Sequence, residues 1–530
     1  MKPSSILPLA CALPCALPCA AAPCQPASFT NPILYEDYPD NDVSLGPDGA
    51  YYLSASNFHF SPGAPILRSE DLVHWEAIGH SLPRLDFGGG YDLAPGGERA
   101  YRGGTWASTL RYRESNGLWY WIGCTNFWNT WVFTAPAVTG PWDKASQMES
   151  GLCFYDNGLL IDDDDTMYVV YGSDTVSVAQ LDEDGLLPVR TEVVFTADDA
   201  NVDAIEGNRM YKINGLYYIL NDRPGGTTII WKAESPFGPY QHKVLVENVA
   251  GPVEGGNSPH QGSLVETPDG DWYFMSFTWA YPAGRMPVLA PVTWGDDGFP
   301  VFVPGGNGGW GVTYPVPLRP AVPTPDWLRT YTFEGPDLEP TFEWNHNPDV
   351  SSYEVNNGVT LFTATVTEDI YSARNTLTHR IHGEFPVGTV EIDFSSMHDG
   401  DRAGFAAFRD QSAYIGIHRD GDTYTLTAKH GMIMDEWSSE PVSPGSIAAE
   451  QVLPADTTRI WFRQGLDARA SGTRDCDFSY SLDGEAFETF GPTYELYDGW
   501  AWFIAYRYGI FNFATKAMGG SIEVKSLVVA

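Results

Sequence analysis

The sequence predicts an all-β fold, a five-bladed β-propeller followed by a β-sandwich. A turn followed by an aromatic strand recurs five times in the N-terminal part of the chain. Short strand-like runs without that repeat continue to the C-terminus, and helical periodicity is nearly absent. The chain also contains 54 Gly, 40 Pro and 14% aromatic residues, a composition that suits many turns and short strands.

The composition is that of a globular protein with a strong acidic excess. The 530 residues are 43% hydrophobic and 18% charged, and a chain of this length is expected to form at least two domains. Its 30 basic and 68 acidic residues give a net charge of −38 at pH 7. This charge argues against nucleic acid and membrane partners, whereas a neutral polysaccharide is compatible with it.

Residues 1–22 have the pattern of a secretory signal peptide. Lys2 precedes an apolar stretch rich in Ala and Leu, and the small residues Ala20-Ala21-Ala22 offer a cleavage site. The stretch is short and is interrupted by prolines, so it does not suit a membrane span. We therefore expect a secreted, extracellular protein.

The cysteines fit no metal-binding motif. Three of the seven lie in the predicted signal peptide, and the mature chain would keep Cys24, Cys124, Cys153 and Cys476. In an oxidising compartment a Cys124–Cys153 disulfide is one interpretation, and free buried thiols are the other.

The repeat defines the predicted propeller over residues 27–320. Its turns recur about 50 residues apart, a period typical of propeller blades. The similar segments TAPAVTGPW and KAESPFGPY end the second and fourth copies at the same distance from their turns. The sequence similarity between these copies therefore extends beyond the turn itself. The turns begin at Asp48, Asn116, Asp165, Asn214 and Asp269.

In each copy of the repeat, a polar or aromatic residue lies about eight to ten positions before the turn, at the start of the innermost strand of the blade. We call this position the channel phase of the repeat. Equivalent positions of different blades converge near the central channel. Carboxylates crowded in such a place cost free energy unless function retains them. The residues in this phase are Asp40, Trp106, Asp156, Glu206 and His260.

Three acids on one channel suit glycoside hydrolysis. One carboxyl protonates the leaving oxygen, a second activates water, and a third would raise the pKa of the acid by like-charge repulsion. Taken singly, Asp40 and Asp156 could be turn residues and His260 could be a buried structural side chain. Glu206, in an apolar strand context, is the hardest to explain structurally. The acidic run 162–165 reads as a solvated turn, with calcium binding a minor alternative.

A proline-rich segment between Tyr314 and Trp327 predicts a linker, and residues 326–530 then form the second domain. Its pattern does not decide between a β-sandwich and a barrel, and its size of roughly 200 residues suits a sandwich. It could bind carbohydrate or brace the first domain, and we favour bracing. The predicted strands are Thr389–Phe394, Ala403–Phe408, Ala413–His418, Tyr424–Ala428, Ile460–Arg463 and Ser521–Val529.

The chain resembles glycoside hydrolase family 43 over nearly its whole mature length. NPILYEDYPDNDV is similar to the opening segment of the family, which implies that Asp40 is the general base. The sequence has Asn41-Asp42 where the family usually has Pro-Ser or Pro-Asp, so Asp42 is a rival two residues further on. We prefer Asp40, because its phase in the repeat matches that of Glu206.

The other family segments carry further implied roles. YDNGLLIDDDDTMYVVYG implies that Asp156 modulates the pKa of the acid, and AIEGNRMYKINGLYYIL implies that Glu206 is the general acid. The tail resembles the concanavalin-like C-terminal domain of the β-xylosidase and arabinofuranosidase branch. Residues implied to contact the sugar are Phe58, Trp106, His260 and Arg285.

The resemblance implies an inverting glycosidase whose two catalytic carboxyls stand roughly 6.5–9.5 Å apart. We expect it to release L-arabinofuranose branches from arabinoxylan. An exo-β-1,4-xylosidase acting on xylo-oligosaccharides and a non-catalytic carbohydrate-binding propeller are the alternatives, and an endo-acting arabinanase is less favoured. We expect no required cofactor and no catalytic metal, although a structural calcium ion in the channel is compatible with the resemblance. The expected partner is plant cell-wall polysaccharide.

Overall fold

The computed structural model describes residues 27–149, 151–318 and 326–530. The predicted signal peptide, Cys24 and residues 319–325 of the predicted linker lie outside these ranges. Within them, helical structure is limited to four 3₁₀ turns, Gly89–Asp92, Ala197–Ala200, Ile370–Ser372 and Ala501–Phe503. The all-β prediction is therefore confirmed. The described ranges contain no helix of the length and apolarity that a membrane crossing requires.

Five four-stranded antiparallel sheets form the blades of the propeller. The first strand of each blade contacts the first strand of the next, and blade V closes on blade I. Blade I comprises Asp42–Leu45, Tyr51–Ser54, Gly63–Ser69 and Glu76–Leu82; blade II comprises Thr105–Arg113, Leu118–Thr125, Asn129–Ala135 and Asp143–Gln147; blade III comprises Gly158–Ile161, Met167–Tyr171, Thr175–Leu181 and Pro188–Thr196; blade IV comprises Glu206–Ile213, Leu216–Arg223, Thr227–Ala233 and Gln241–Glu247; blade V comprises His260–Glu266, Trp272–Trp279, Arg285–Trp294 and Pro300–Phe302.

The recurring turn joins the first two strands of every blade, as the repeat predicts. Gly49, Gly117, Gly215 and Gly270 all have positive φ angles, between 71° and 82°, which glycine adopts without the steric cost of a Cβ. The third copy has Asp165 at φ 70° instead. Strand Ser28–Thr30 pairs with Thr313–Pro315, so the two ends of the propeller segment meet.

The C-terminal domain consists of two packed sheets, which decides for a sandwich over a barrel. Its core is a large apolar cluster that includes Phe405, Phe462 and Leu527. One sheet contains Thr330–Tyr331, Tyr353–Val355, Val359–Phe362, Val387–Asp393, Arg459–Leu466, Asp475–Ser481, Glu488–Thr489, Tyr494–Glu495 and Ser521–Val529, and the other contains Phe342–Asn345, Leu377–Arg380, Asp401–Phe408, Gln411–Asp420, Thr423–Met434, Pro441–Val452 and Arg507–Ala514.

The propeller also contributes a strand to the sandwich. Phe60–Ser61, from the loop inside blade I, pairs antiparallel with Phe342–Asn345 at the edge of the second sheet. Such an edge strand would otherwise expose unpaired backbone groups. The two domains are therefore joined by backbone hydrogen bonds, which fits the bracing interpretation of the C-terminal domain.

A disulfide joins Cys124 of blade II to Cys153, just before blade III, and Cys476 is free and buried. The structure thus supports the disulfide interpretation for the first two cysteines and the buried-thiol interpretation for the third.

Candidate active site

A cavity of about 330 Å³ lies at the end of the channel where the innermost strands of the blades begin. The structure brings together there six of the seven residues that the sequence singled out, namely Asp40, Trp106, Asp156, Glu206, His260 and Arg285. The seventh residue, Phe58, is fully buried and packs behind the cavity lining. Its ring lies 5.0 Å from that of Trp106 in an edge-on contact.

Each predicted channel residue lies at an irregularity of the backbone. Asp40 and Asp156 precede their strands in the left-handed region, at φ 56° and 46°, which few non-glycine residues adopt. The innermost strands of blades II, IV and V carry a bulge where Trp106, Glu206 and His260 lie. A bulge redirects side chains locally, so these residues reach the cavity while the strands after them pack normally.

The Asp40 carboxyl is bound by a guanidinium group and a hydroxyl. Its Oδ1 accepts a hydrogen bond from Arg285 Nη1 at 2.7 Å, and its Oδ2 accepts one from the Ser56 hydroxyl at 2.6 Å. The Arg209 guanidinium binds the Asp40 carbonyl oxygen at 2.9 Å and so fixes the backbone as well. The side chain is almost fully buried and borders the cavity, as a general base must.

Asp42 lies outside the cavity lining and is a structural residue. It is fully buried and accepts hydrogen bonds from Arg111 and from the Leu110 backbone N–H, and Arg209 Nε lies 3.2 Å from its Oδ1. Although burial raises the pKa of Asp42, the two guanidinium groups lower it further, to a net value below the usual one. Asp40 is not in extended backbone, so the two aspartates do not share one strand face.

Asp156 and Glu206 are the other two carboxyls that line the cavity with Asp40. The Gly207 backbone N–H donates to Asp156 Oδ2 at 2.9 Å. Burial raises the pKa of Asp156 well above its usual value, and the charges of Glu206 and Asp40 raise it further. Burial likewise raises the pKa of Glu206, followed by the charge of Asp40.

The three carboxyls differ in their hydrogen-bond donors. Asp40 accepts hydrogen bonds from Arg285 and Ser56, and Asp156 accepts one from the Gly207 backbone N–H. Within the described ranges, the donor to Glu206 is the Tyr155 hydroxyl, at 3.3 Å from Oε2. Donors favour the ionised form of a carboxyl, so hydrogen bonding favours ionisation less at Glu206 than at the other two.

Arg285 and His260 are two further polar residues that line the cavity. Besides binding Asp40, Arg285 donates from Nη2 to the Phe503 carbonyl oxygen at 3.3 Å. His260 Nδ1 is hydrogen-bonded to the Ser258 carbonyl oxygen at 2.9 Å, which makes Nδ1 the protonated nitrogen of a neutral ring. Burial lowers the pKa of His260, in agreement with that neutral form.

Several cavity residues escaped the sequence reasoning. Tyr155 and Gln261 each adjoin a residue in the channel phase of the repeat, so the same phase could have found them. Trp500 and Phe503 come from the C-terminal domain, where no repeat exists to place them. The Phe503 ring lies 5.3 Å from Trp106 and 5.1 Å from Trp500, so the second domain closes one side of the cavity.

The described residues contain no group of three or more His, Cys, Asp or Glu arranged to hold a metal ion. The acidic run 162–165 is a turn after the first strand of blade III, as predicted, with Asp163 and Asp164 exposed. Asp162 and Asp163 contact Lys212, and Asp165 pairs with Arg113. A structural calcium ion in the channel stays a prediction.

Comparison with known proteins identifies both parts of the chain. Residues 29–300 match the sequence profile of the glycosyl hydrolases family 43, and residues 330–527 match that of the beta xylosidase C-terminal concanavalin A-like domain. A beta-xylosidase of Formosa agariphila is 28% identical, with 94% of this chain and 89% of that protein aligned. A non-reducing end alpha-L-arabinofuranosidase of Bacteroides ovatus is 30% identical over 57% of this chain and 58% of its own length.

Among solved structures, one that belongs to an active-site engineering study of a family 43 enzyme superposes with a TM-score of 0.91. It is 40% identical and covers 95% of this chain and 100% of its own. That study describes an enzyme, generated by engineering of the active site, that displays both endo-xylanase and exo-arabinofuranosidase activity.

Proposed function

Because the chain belongs to family 43 of the glycosyl hydrolases and is a glycosidase, we propose that it is a secreted, inverting α-L-arabinofuranosidase that removes arabinose branches from arabinoxylan. The observation that carries this proposal is the cavity in which Asp40, Asp156 and Glu206 converge. Trp500 and Phe503 of the C-terminal domain bound one side of this cavity, which favours a terminal sugar over the middle of a chain.

The catalytic roles follow from the environments of the carboxyls. Asp40, ionised beside Arg285, takes a proton from a water molecule, whose oxygen attacks the anomeric carbon. Glu206 gives its proton to the glycosidic oxygen as the bond to the anomeric carbon breaks, so the leaving group departs as a neutral alcohol. A single displacement of this kind inverts the anomeric configuration.

The surroundings of the cavity suit a branch on a polymer. Trp500, which lines the cavity, is 48% exposed, and Trp128 is 67% exposed beside Phe127. The Phe127 ring lies 4.6 Å from Trp106 and stacks at 6.1 Å on Tyr155. Exposed indole rings next to the cavity offer apolar faces to the sugar rings of a backbone that remains outside.

The acidic surface and the disulfide support the remaining parts of the proposal. A net charge of −38 does not oppose a neutral polysaccharide. A disulfide between Cys124 and Cys153 persists in an oxidising environment, which supports secretion by the predicted signal peptide.

An exo-β-xylosidase is the second candidate. The Formosa agariphila relative, which aligns over most of this chain, is a beta-xylosidase. We rank arabinofuranosidase first because the solved structure at 40% identity comes from the study of an engineered enzyme that displays exo-arabinofuranosidase activity beside endo-xylanase activity.

Product analysis distinguishes these candidates. Wild type and Glu206→Gln would be incubated with arabinoxylan and, separately, with unbranched xylo-oligosaccharides, and the released monosaccharides would be identified by chromatography. Arabinose from the first substrate, lost in the variant, is expected. Xylose from the ends of the oligosaccharides would instead select β-xylosidase, and absence of both sugars would contradict both assignments.

A further inference from the structure

A fourth carboxyl lies beside the three that the mechanism uses. Asp222, in the second strand of blade IV, is the direct antiparallel partner of Glu206 in the first strand. Side chains opposite each other in such a pair lie on the same face of the sheet. Asp222 is fully buried, and neither of its carboxyl oxygens has a hydrogen-bond partner among the residues that the structure describes.

Gln261 faces Asp222 across the backbone of Gly207. A Cβ on Gly207 would lie 2.4 Å from Asp222 Oδ1 and 2.5 Å from Gln261 Cγ, so the glycine leaves room for two side chains that converge there. Gln261 lines the cavity, and its amide nitrogen is buried without a partner. Two unsatisfied polar groups thus face the same small space at the cavity floor.

The charges around Asp222 favour its neutral form. Glu206, Asp156 and Asp40 all act on it from the cavity side, and Arg209 alone opposes them. Burial is the largest contribution to a pKa well above the usual range for Asp222, and the three carboxyls add to it. A protonated carboxyl has an O–H to donate, which a carboxylate does not.

We propose that Asp222 is a positioning residue that stays protonated and donates its O–H to the side-chain carbonyl of Gln261, thereby turning the Gln261 amide nitrogen towards the bound sugar. The amide is nearly symmetric in shape, so its oxygen and nitrogen can exchange places, and a small rotation of the Gln261 side chain then brings the oxygen to Asp222. The buried position then holds an acceptor for Asp222, and the NH₂ group faces the cavity as a donor to a sugar hydroxyl. This inference rests on the glycosidase function proposed above and assigns it a further substrate contact.

The kinetic test compares Asp222→Leu, Asp222→Asn and Gln261→Leu, with Glu247→Gln as a control on the exposed outer strand of the same blade. Leu cannot donate, so Asp222→Leu and Gln261→Leu should each raise KM at least tenfold with a smaller change in kcat. Asn retains an N–H donor of similar shape and should restore most of the loss. The double variant Asp222→Leu/Gln261→Leu should have a KM no higher than that of the more impaired single variant.

Two kinetic outcomes would overturn the proposal. If Asp222→Asn lost turnover as completely as Glu206→Gln, Asp222 would act through its charge. If circular dichroism showed that Asp222→Leu is folded and its KM were unchanged, Asp222 would play no part in substrate binding.

A thermal measurement tests the protonation state without any turnover. A buried acid with a raised pKa stays protonated in the folded state, while the unfolded chain ionises above a pKa of about 3.9. Wild type therefore loses stability relative to Asp222→Asn as the pH rises from 4 to 8. The melting temperature of the Asn variant relative to that of wild type should therefore increase over that range. A difference in melting temperature that stays constant with pH would contradict a protonated Asp222. This result is independent of whether the sugar is arabinose or xylose.

Discussion

At the residue scale, similar acidic side chains of the site differ in their surroundings. Asp40 and Asp42 are two residues apart, and both contact arginine. Asp40 borders the cavity, whereas Asp42 is enclosed between Arg111 and Arg209. Glu206 forms no such ion pair within the described ranges, so the roles proposed for base, acid and structural anion rest on the surroundings and not on residue type.

Replacing these acids should therefore give different defects. Asp40→Asn and Glu206→Gln should lower kcat by at least two to three orders of magnitude with little change in stability, since a base or an acid is lost. Asp42→Asn should instead lower the unfolding free energy by about 3 kcal/mol or more, because two buried guanidinium groups lose their partner. Steady-state kinetics and urea unfolding measure both effects. An Asp40 variant that retained more than a tenth of the activity would exclude Asp40 as the base.

Asp156 should set the alkaline limit of activity. The charge of Glu206 raises the pKa of Asp156, and the interaction between two charges is reciprocal, so Asp156→Asn should lower the pKa of the acid and shift the alkaline limb of kcat/KM to lower pH. The acidic limb, which reports the base, should move less. A pH–rate profile measures this, with Asp163→Asn, an exposed acid in the turn of the same blade, as control. An alkaline limb identical to that of wild type would count against the role of Asp156.

At the element scale, the repeat explains what the sequence could predict. The turns and their spacing are local features, so the five blades and the channel positions could be read from the chain. The bulges at Trp106, Glu206 and His260 could not, because a bulge depends on the register of the neighbouring strand. For the same reason Asp222 gave no signal, since only the pairing of two strands places it beside Glu206.

At the scale of the whole molecule, the C-terminal domain both braces the propeller and completes its cavity. Glu343 lies fully buried between Arg380 and Arg507, and His80 of blade I also binds it, at 2.9 Å. The two arginines donate further hydrogen bonds to Asn57, the residue before Phe58. These long-range contacts join positions hundreds of residues apart, and no local pattern could predict them.

Glu343 should consequently hold the two domains together in a pH-dependent way. Burial opposes its ionisation, but Arg380, Arg507 and His80 bring the pKa of Glu343 well below its usual value. Its contribution to stability is thus complete above the unfolded pKa of about 4.3 and is lost as the pH falls below it.

Glu343→Gln should lower the unfolding free energy at pH 7 by about 3–5 kcal/mol, because two buried arginines lose their counterion. Unfolding midpoints in urea at pH 7 and pH 4 measure this, and the exposed Glu339→Gln, which removes a surface pair with Arg329, is the control. The difference in urea midpoint between wild type and the Glu343 variant should be smaller at pH 4 than at pH 7. Equal midpoints at pH 7 would show that the buried network does not stabilise the molecule.

The stereochemistry of hydrolysis tests the central claim most directly. Proton NMR during the first minutes of the reaction, before the released sugar equilibrates, identifies which anomer forms first. With Asp40 activating water and Glu206 protonating the leaving oxygen, the first product should have the inverted configuration, and Glu206→Gln should release it far more slowly from an unactivated substrate. A first product of retained configuration would require a covalent glycosyl-enzyme intermediate and would contradict the roles assigned to both carboxyls.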